Sequence, residues 1–170
     1  RLIGIQPEKP QGVTEDEVKI MVREGKRTGA FQANESAMVE NVLNLDRLPV
    51  RLIMTPRPKI IWVSRDDTHE RVWHKIVVSN HSEFPVYEGQ RDRVVGIVSV
   101  KSIYANLAAG VPVKISDLMT KPLFVAGSQN VLGVLETMRK AGQGMAMVAD
   151  EFGGVSGLVT LHDIMEAIAG

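Results

Sequence analysis

Cysteine is absent from the 170 residues, aromatic side chains make up only 5%, acidic and basic groups balance at 20 each, and apolar runs are short. Each of these shortages excludes something. Without cysteine the chain has no thiolate nucleophile, no thiolate metal cluster and no disulfide staple, and a reducing compartment suits it. A net charge of zero gives no global pull toward nucleic acid or anionic lipid, so no nucleic-acid partner is expected and any anion must be held by local groups. No apolar stretch approaches the roughly 20 residues that span a bilayer, and no signal-peptide core opens the chain, so this segment is expected to lie outside the membrane. Opening at Arg1 and closing on a helical pattern at Gly170, it is expected to be part of something longer.

Catalytic signatures are missing too. His69, His74, His81 and His162 form no i,i+4 pair or metal-ligand spacing, and neither Gly-x-Ser-x-Gly nor Gly-x-x-x-x-Gly-Lys occurs. Asp150 and Glu151 stand beside Gly153 and Gly154 and read as solvated turn residues. A non-enzymatic chain is expected, with no metal site.

What the sequence does contain is a repeat. Gly96-Ile97-Val98-Ser99-Val100-Lys101-Ser102-Ile103 returns 61 residues later as Gly157-Leu158-Val159-Thr160-Leu161-His162-Asp163-Ile164. Phe84-Pro85-Val86-Tyr87 matches Met145-Ala146-Met147-Val148 at the same offset, and Leu52-Ile53-Met54-Thr55 matches Asp117-Leu118-Met119-Thr120 at 65. Each copy runs strand, helix, strand, turn, strand, helix. The first predicts these over 60–63, 68–78, 85–87, 88–93, 94–98 and 100–107. The second predicts them over 123–125, 129–140, 145–148, 150–154, 155–159 and 161–168. A 60-residue unit is marginal alone, so two β-α-β-β-α repeats are expected to pack about a pseudo-twofold. The resulting fold class is α/β (α+β): residues 1–49 as linker and helical lead-in, 50–110 as the first unit, 111–170 as the second. In the lead-in, 3–13 read as linker. Thr14-x-x-Glu17 caps a helix to about residue 23, and Asn34 caps another running to 45.

The fragment Thr160-Leu161-His162-Asp163 marks a strand-to-helix junction with two readings. It is a capping box, Thr160 and Asp163 satisfying each other's backbone amides. It is also the start of a helix, whose positive end attracts phosphate while a carboxylate alongside accepts two hydrogen bonds from ribose hydroxyls. In the first copy Ser102 stands where Asp163 would be, so one competent site is expected. Arg47, Arg51, Arg57, Lys59 and Arg65 form a basic run without acids, read chiefly as a solvated surface, with Arg57 positioned between Pro56 and Pro58. The methionines at 119, 138, 145 and 147 read as core filler, with an adenine slot as the alternative.

The words Ile53-Met54-Thr55-Pro56-Arg57, Phe84-Pro85-Val86-Tyr87 and Asp150-Glu151-Phe152-Gly153-Gly154-Val155-Ser156-Gly157-Leu158-Val159-Thr160 resemble tandem CBS (cystathionine-β-synthase-type) domains. The whole chain resembles the cytosolic CBS pair of the CorC magnesium/cobalt-efflux, hemolysin-like family. That resemblance implies an adenine-nucleotide-sensing regulatory pair and a homodimer. It also implies an attached N-terminal transmembrane domain, a C-terminal domain, and a place on the cytoplasmic side of a bacterial inner membrane. By it, Asp163 holds ribose, Thr160 the phosphate, and Thr55, Ser82, Phe84, Met145 and His162 line the slot. Where the resemblance has arginine before Phe-Pro-Val, this chain has Glu83. A carboxylate repels a phosphate tail, so AMP is favoured, with ATP, assisted by Mg2+, as the second option. A ligand-free dimerisation scaffold is the alternative.

Overall fold

The computed structural model describes residues 12–112 and 114–170; nearly all of the linker expected over 3–13 lies outside them. Thr14 is extended and its hydroxyl accepts from the Glu17 amide, opening α1 (Glu15–Thr28), whose first turn is acidic and last turn basic, as the helix dipole favours. The helix runs past residue 23 because Gly25 is tolerated within it: the Phe31 ring folds back so closely that a Cβ there would lie 2.4 Å from it. It stops at Gly29, in the left-handed region at φ 84°. Gln32, not Asn34, caps α2 (Ala33–Asn44), with Glu35 bonding back to the Gln32 amide.

Next come β1 (Thr55–Pro56), β2 (Val63–Ser64), α3 (His69–Val78), β3 (Glu83–Glu88), β4 (Gln90–Ser99) and α4 (Val100–Ala108). The short α5 (Ile115–Leu118), β5 (Phe124–Ala126), α6 (Val131–Ala141), β6 (Met145–Ala149), β7 (Val155–Thr160) and α7 (Leu161–Ala169) complete the chain. The repeat predicted from sequence is present, with the first hairpin tighter than expected: only Gly89 separates its strands.

Two sheets form, in the orders β2-β3-β4 and β1-β7-β6-β5. The second contains a strand from the wrong repeat. Thr55 and Pro56 pair antiparallel with Leu158 and Gly157. In return Thr120 exchanges hydrogen bonds of 2.8 and 2.9 Å with Ile97 in the first sheet. The repeats therefore trade their leading segments. The glycine repeated in both copies makes this crossing possible. A Cβ at Gly157 would lie 2.5 Å from the Thr55 carbonyl oxygen, and one at Gly96 2.7 Å from Met119.

The core has three parts. Strand β6 shows how they join: Ala146 and Val148 face the helices of the second repeat, while Met145 and Met147 face the seam between repeats. That seam also takes Ile60, Trp62, Val94 and Ile97 from the first repeat and Val155 and Leu158 from the second. At about 1.5–3 kcal/mol per buried large apolar side chain, this shared cluster is a major part of what holds either unit together. Leu45 and Val50 enter the second repeat's core, and the Leu45 and Leu48 carbonyls accept from the first two amides of α6. The lead-in thus caps a helix about 85 residues away.

Candidate functional site

Strand β7 ends at Thr160, still extended at φ −117°, and α7 begins at once. The Thr160 hydroxyl accepts from the Asp163 amide at 3.2 Å, and Asp163 Oδ2 accepts from the Thr160 amide at 2.9 Å. The capping box is therefore formed, and it uses one carboxylate oxygen. Both residues are half-buried. Asp163 also lines a cavity of about 490 Å³ with Ile53, Glu166 and Ala167. Cap and cavity wall are the same residue. Thr55, half-buried on β1, sits two residues down the neighbouring strand, opposite Leu158.

The other expected site residues are placed differently. His162 is exposed and its Nε2 lies 3.0 Å from Glu166 one helical turn on. Ser82 is exposed just before β3, where its carbonyl accepts from the Val100 amide at 2.9 Å. Phe84 is 1% exposed, in the first repeat's core, edge-on to His81. Met145 pairs in register with Thr160 but lines a different cavity.

That second cavity, about 290 Å³, is walled by Glu83, Ser99, Ser102, Thr120, Gln143 and Met145 among others. Ser99, Ser102 and Thr120 are the repeat counterparts of Thr160, Asp163 and Thr55. In place of a carboxylate, Ser102 closes on Ser99, their hydroxyls 2.8 Å apart. Glu83 is half-buried here, and burial pushes its carboxyl above the usual range. The glutamate thus belongs to the wall of the Ser102 cavity, and the preference for AMP, which assumed it beside the Asp163 ligand's phosphates, loses that support.

The basic run is largely engaged. Arg47 pairs with Glu15 at 3.0 Å, Arg65 with Glu88 at 2.6 Å, and Arg57 with Asp92. Thr120 was reachable from the repeat alignment alone. Asp92, expected in a polar turn and found on β4, carried no local signal.

Two α/β units that exchange leading segments and present paired strand-to-helix junctions define a tandem-repeat module. The profile of the CBS domain matches residues 50–109 and again 115–170. A UPF0053 protein of Synechocystis sp. is 37% identical over the whole of this chain, which spans 38% of that protein. The magnesium and cobalt efflux protein CorC of Pasteurella multocida is 34% identical over 91% of this chain and 52% of its own length. The UPF0053 inner membrane protein YoaE of Escherichia coli K12 is 37% identical over 84% of this chain and 27% of its own length. Among solved structures, the CBS domain of the bacterial CNNM/CorC family Mg2+ transporter superposes with a TM-score of 0.84 at 32% identity, covering 94% of this chain and 98% of that one. A structure of such a domain in complex with ATP gives 0.71 at 32% identity, covering 80% and 97%. The chain belongs to the CBS domain family, and its tandem pair is of the CNNM/CorC type. It spans well under two thirds of these curated relatives. No helix among the described residues is long and apolar enough to cross a membrane.

Proposed function

We propose that the pair binds an adenine nucleotide beside Thr160 and Asp163 and passes its occupancy to an ion-transporting membrane part of the same polypeptide, on the cytoplasmic side of a bacterial inner membrane. The observation that carries this is the half-buried Asp163, at the start of a nine-residue helix and in the wall of a cavity. The Thr160 side and the helix start would meet phosphate, and Asp163 the ribose, with Thr55 alongside on the crossed strand. The ATP complex of a relative supports a nucleotide of this class. Occupancy acts as a regulator only through its different affinity for two arrangements of the pair, and no chemical step is assigned to these residues. A homodimer is part of the reading, consistent with exposed apolar side chains on α3, α4 and α7.

A ligand at about a hundred times its Kd adds about 2.7 kcal/mol to folding, which raises the melting temperature of a domain this size by about 5–10 °C. ATP or AMP, with and without Mg2+, is expected to give such a rise, and Asp163→Ala to abolish it. No rise with any adenine nucleotide sinks the proposal. The capping box favours a second reading, a ligand-free dimerisation scaffold. Asp163→Ala would then cost about 1 kcal/mol from the lost cap and change nothing else.

A further inference from the structure

Arg57 lies directly after the crossed strand β1, and its guanidinium does more than pair with Asp92. Its Nη1 donates to the Val155 carbonyl at 3.0 Å, while Asp92 Oδ1 accepts from the Val155 amide at 3.0 Å. An arginine from the crossing segment and an aspartate from β4 thus grip the same residue of the second repeat from both of its backbone groups. The guanidinium also lies 5.7 Å from the centre of the Trp62 ring, which is buried in the seam, so its position is held from below. The grip has no counterpart across the pseudo-twofold: the positions matching Arg57 and Asp92 are Pro122 and Gly153. The side-chain grip is therefore made on one side only, the other crossing resting on the backbone pair of Thr120 and Ile97.

The fastened residue is the first of β7, and the last of β7 is Thr160. Six residues of paired strand, about 17 Å, join the grip to the junction that holds Asp163. Between them lies β1, with Thr55 on Leu158 and Pro56 on Gly157. Two residues make a short ladder, and Pro56 donates nothing to it, so the strand's own hydrogen bonds hold β1 weakly. Its seat therefore depends on the anchor at its C-terminal end, Arg57.

The structure assigns to Arg57 and Asp92 the role of a positioning clasp that seats β1 on β7 and thereby sets Thr55 across from the Thr160–Asp163 junction. In its positioning role the clasp rests on the nucleotide reading above; its seating role does not. Neither residue touches the cavity beside Asp163. The pair acts through the strand.

Asp92 is exposed near the start of β4 and lies outside the core, so Asp92→Ala is expected to fold. Hydrogen exchange on the unliganded protein reads the seat directly. Asp92→Ala and Arg57→Gln are expected to speed exchange across 52–58 and 155–160 by about tenfold or more while leaving α3 and α6 unchanged. Asp92→Asn keeps an acceptor for the Val155 amide and is expected to fall between. The same variants should weaken the Kd for ATP or AMP by about tenfold, the lower range of coupling between separated sites. Unchanged exchange in both segments overturns the clasp. Faster exchange with an unchanged Kd overturns its positioning role. If wild type binds neither nucleotide, the nucleotide reading fails with the positioning role, and the exchange experiment alone decides whether the clasp seats the strand.

Discussion

Among the described residues Glu83 has no ion-pair partner to offset the burial that opposes its charge. Its carboxyl is held above the ordinary value near 4.5 because half-burial penalises the anion. The folded chain thus binds this proton more readily than the unfolded chain does. The group's contribution is fully present below the unfolded value and is lost as pH rises through the higher folded one. Wild type is therefore expected to lose stability as pH rises from about 4 toward neutrality at this site, and Glu83→Gln to flatten that loss and raise the urea midpoint at neutral pH. Equal midpoints for the two proteins across that range would contradict the assignment. Asp163 makes the opposite use of a carboxyl, satisfying a backbone amide and walling a cavity with the same side chain. Its alanine variant separates the two roles, because only ligand binding makes the loss depend on nucleotide.

Among the elements, the lead-in is the one whose role differs most from its appearance. Residues 33–50 look like a helical preface, yet Leu45 is 2% exposed within the second repeat's core and backbone carbonyls at 45 and 48 receive amides of α6. Asn41 also donates to the Ile168 carbonyl of α7 at 2.9 Å. Leu45→Ala is expected to cost about 2–4 kcal/mol, the range for a buried leucine truncated in a well-packed site, read as a drop in urea midpoint at constant slope. A surface helix would lose under about 0.5 kcal/mol from the same change. The measurement thus decides whether α2 is part of the second repeat or an appendage to it. The helical lead-in also offers a route by which a change at α7, where Asp163 sits, reaches the preceding chain.

At the scale of the molecule, the pair has a seam between its repeats, unequal cavities beside its two strand-to-helix junctions and apolar side chains left on the outside. Met165 is 67% exposed on α7 and Val77 67% on α3, and helices of both repeats share this character. A second copy would cover them. Sedimentation of wild type is expected near twice the 18.7 kDa chain mass, and Met165→Glu to shift the population toward monomer by burying an unpaired charge in the contact. A monomeric wild type at micromolar concentration rules the dimer out. The chemical difference between the two strand-to-helix junctions, Asp163 against Ser102, was visible in the repeat itself. So were the two units, the junction at Thr160 and most helix starts, because caps and periodic apolar residues act within a few positions of one another. Other features were settled only by tertiary structure. The trade of Thr55 for Thr120, the grip of Arg57 and Asp92 on Val155, the turning of His162 to solvent and the cavity that Glu83 lines all depend on partners far along the chain or on the packing around them. Such pairings are chosen by which faces the seam can bury, so the chain must close on itself before they exist.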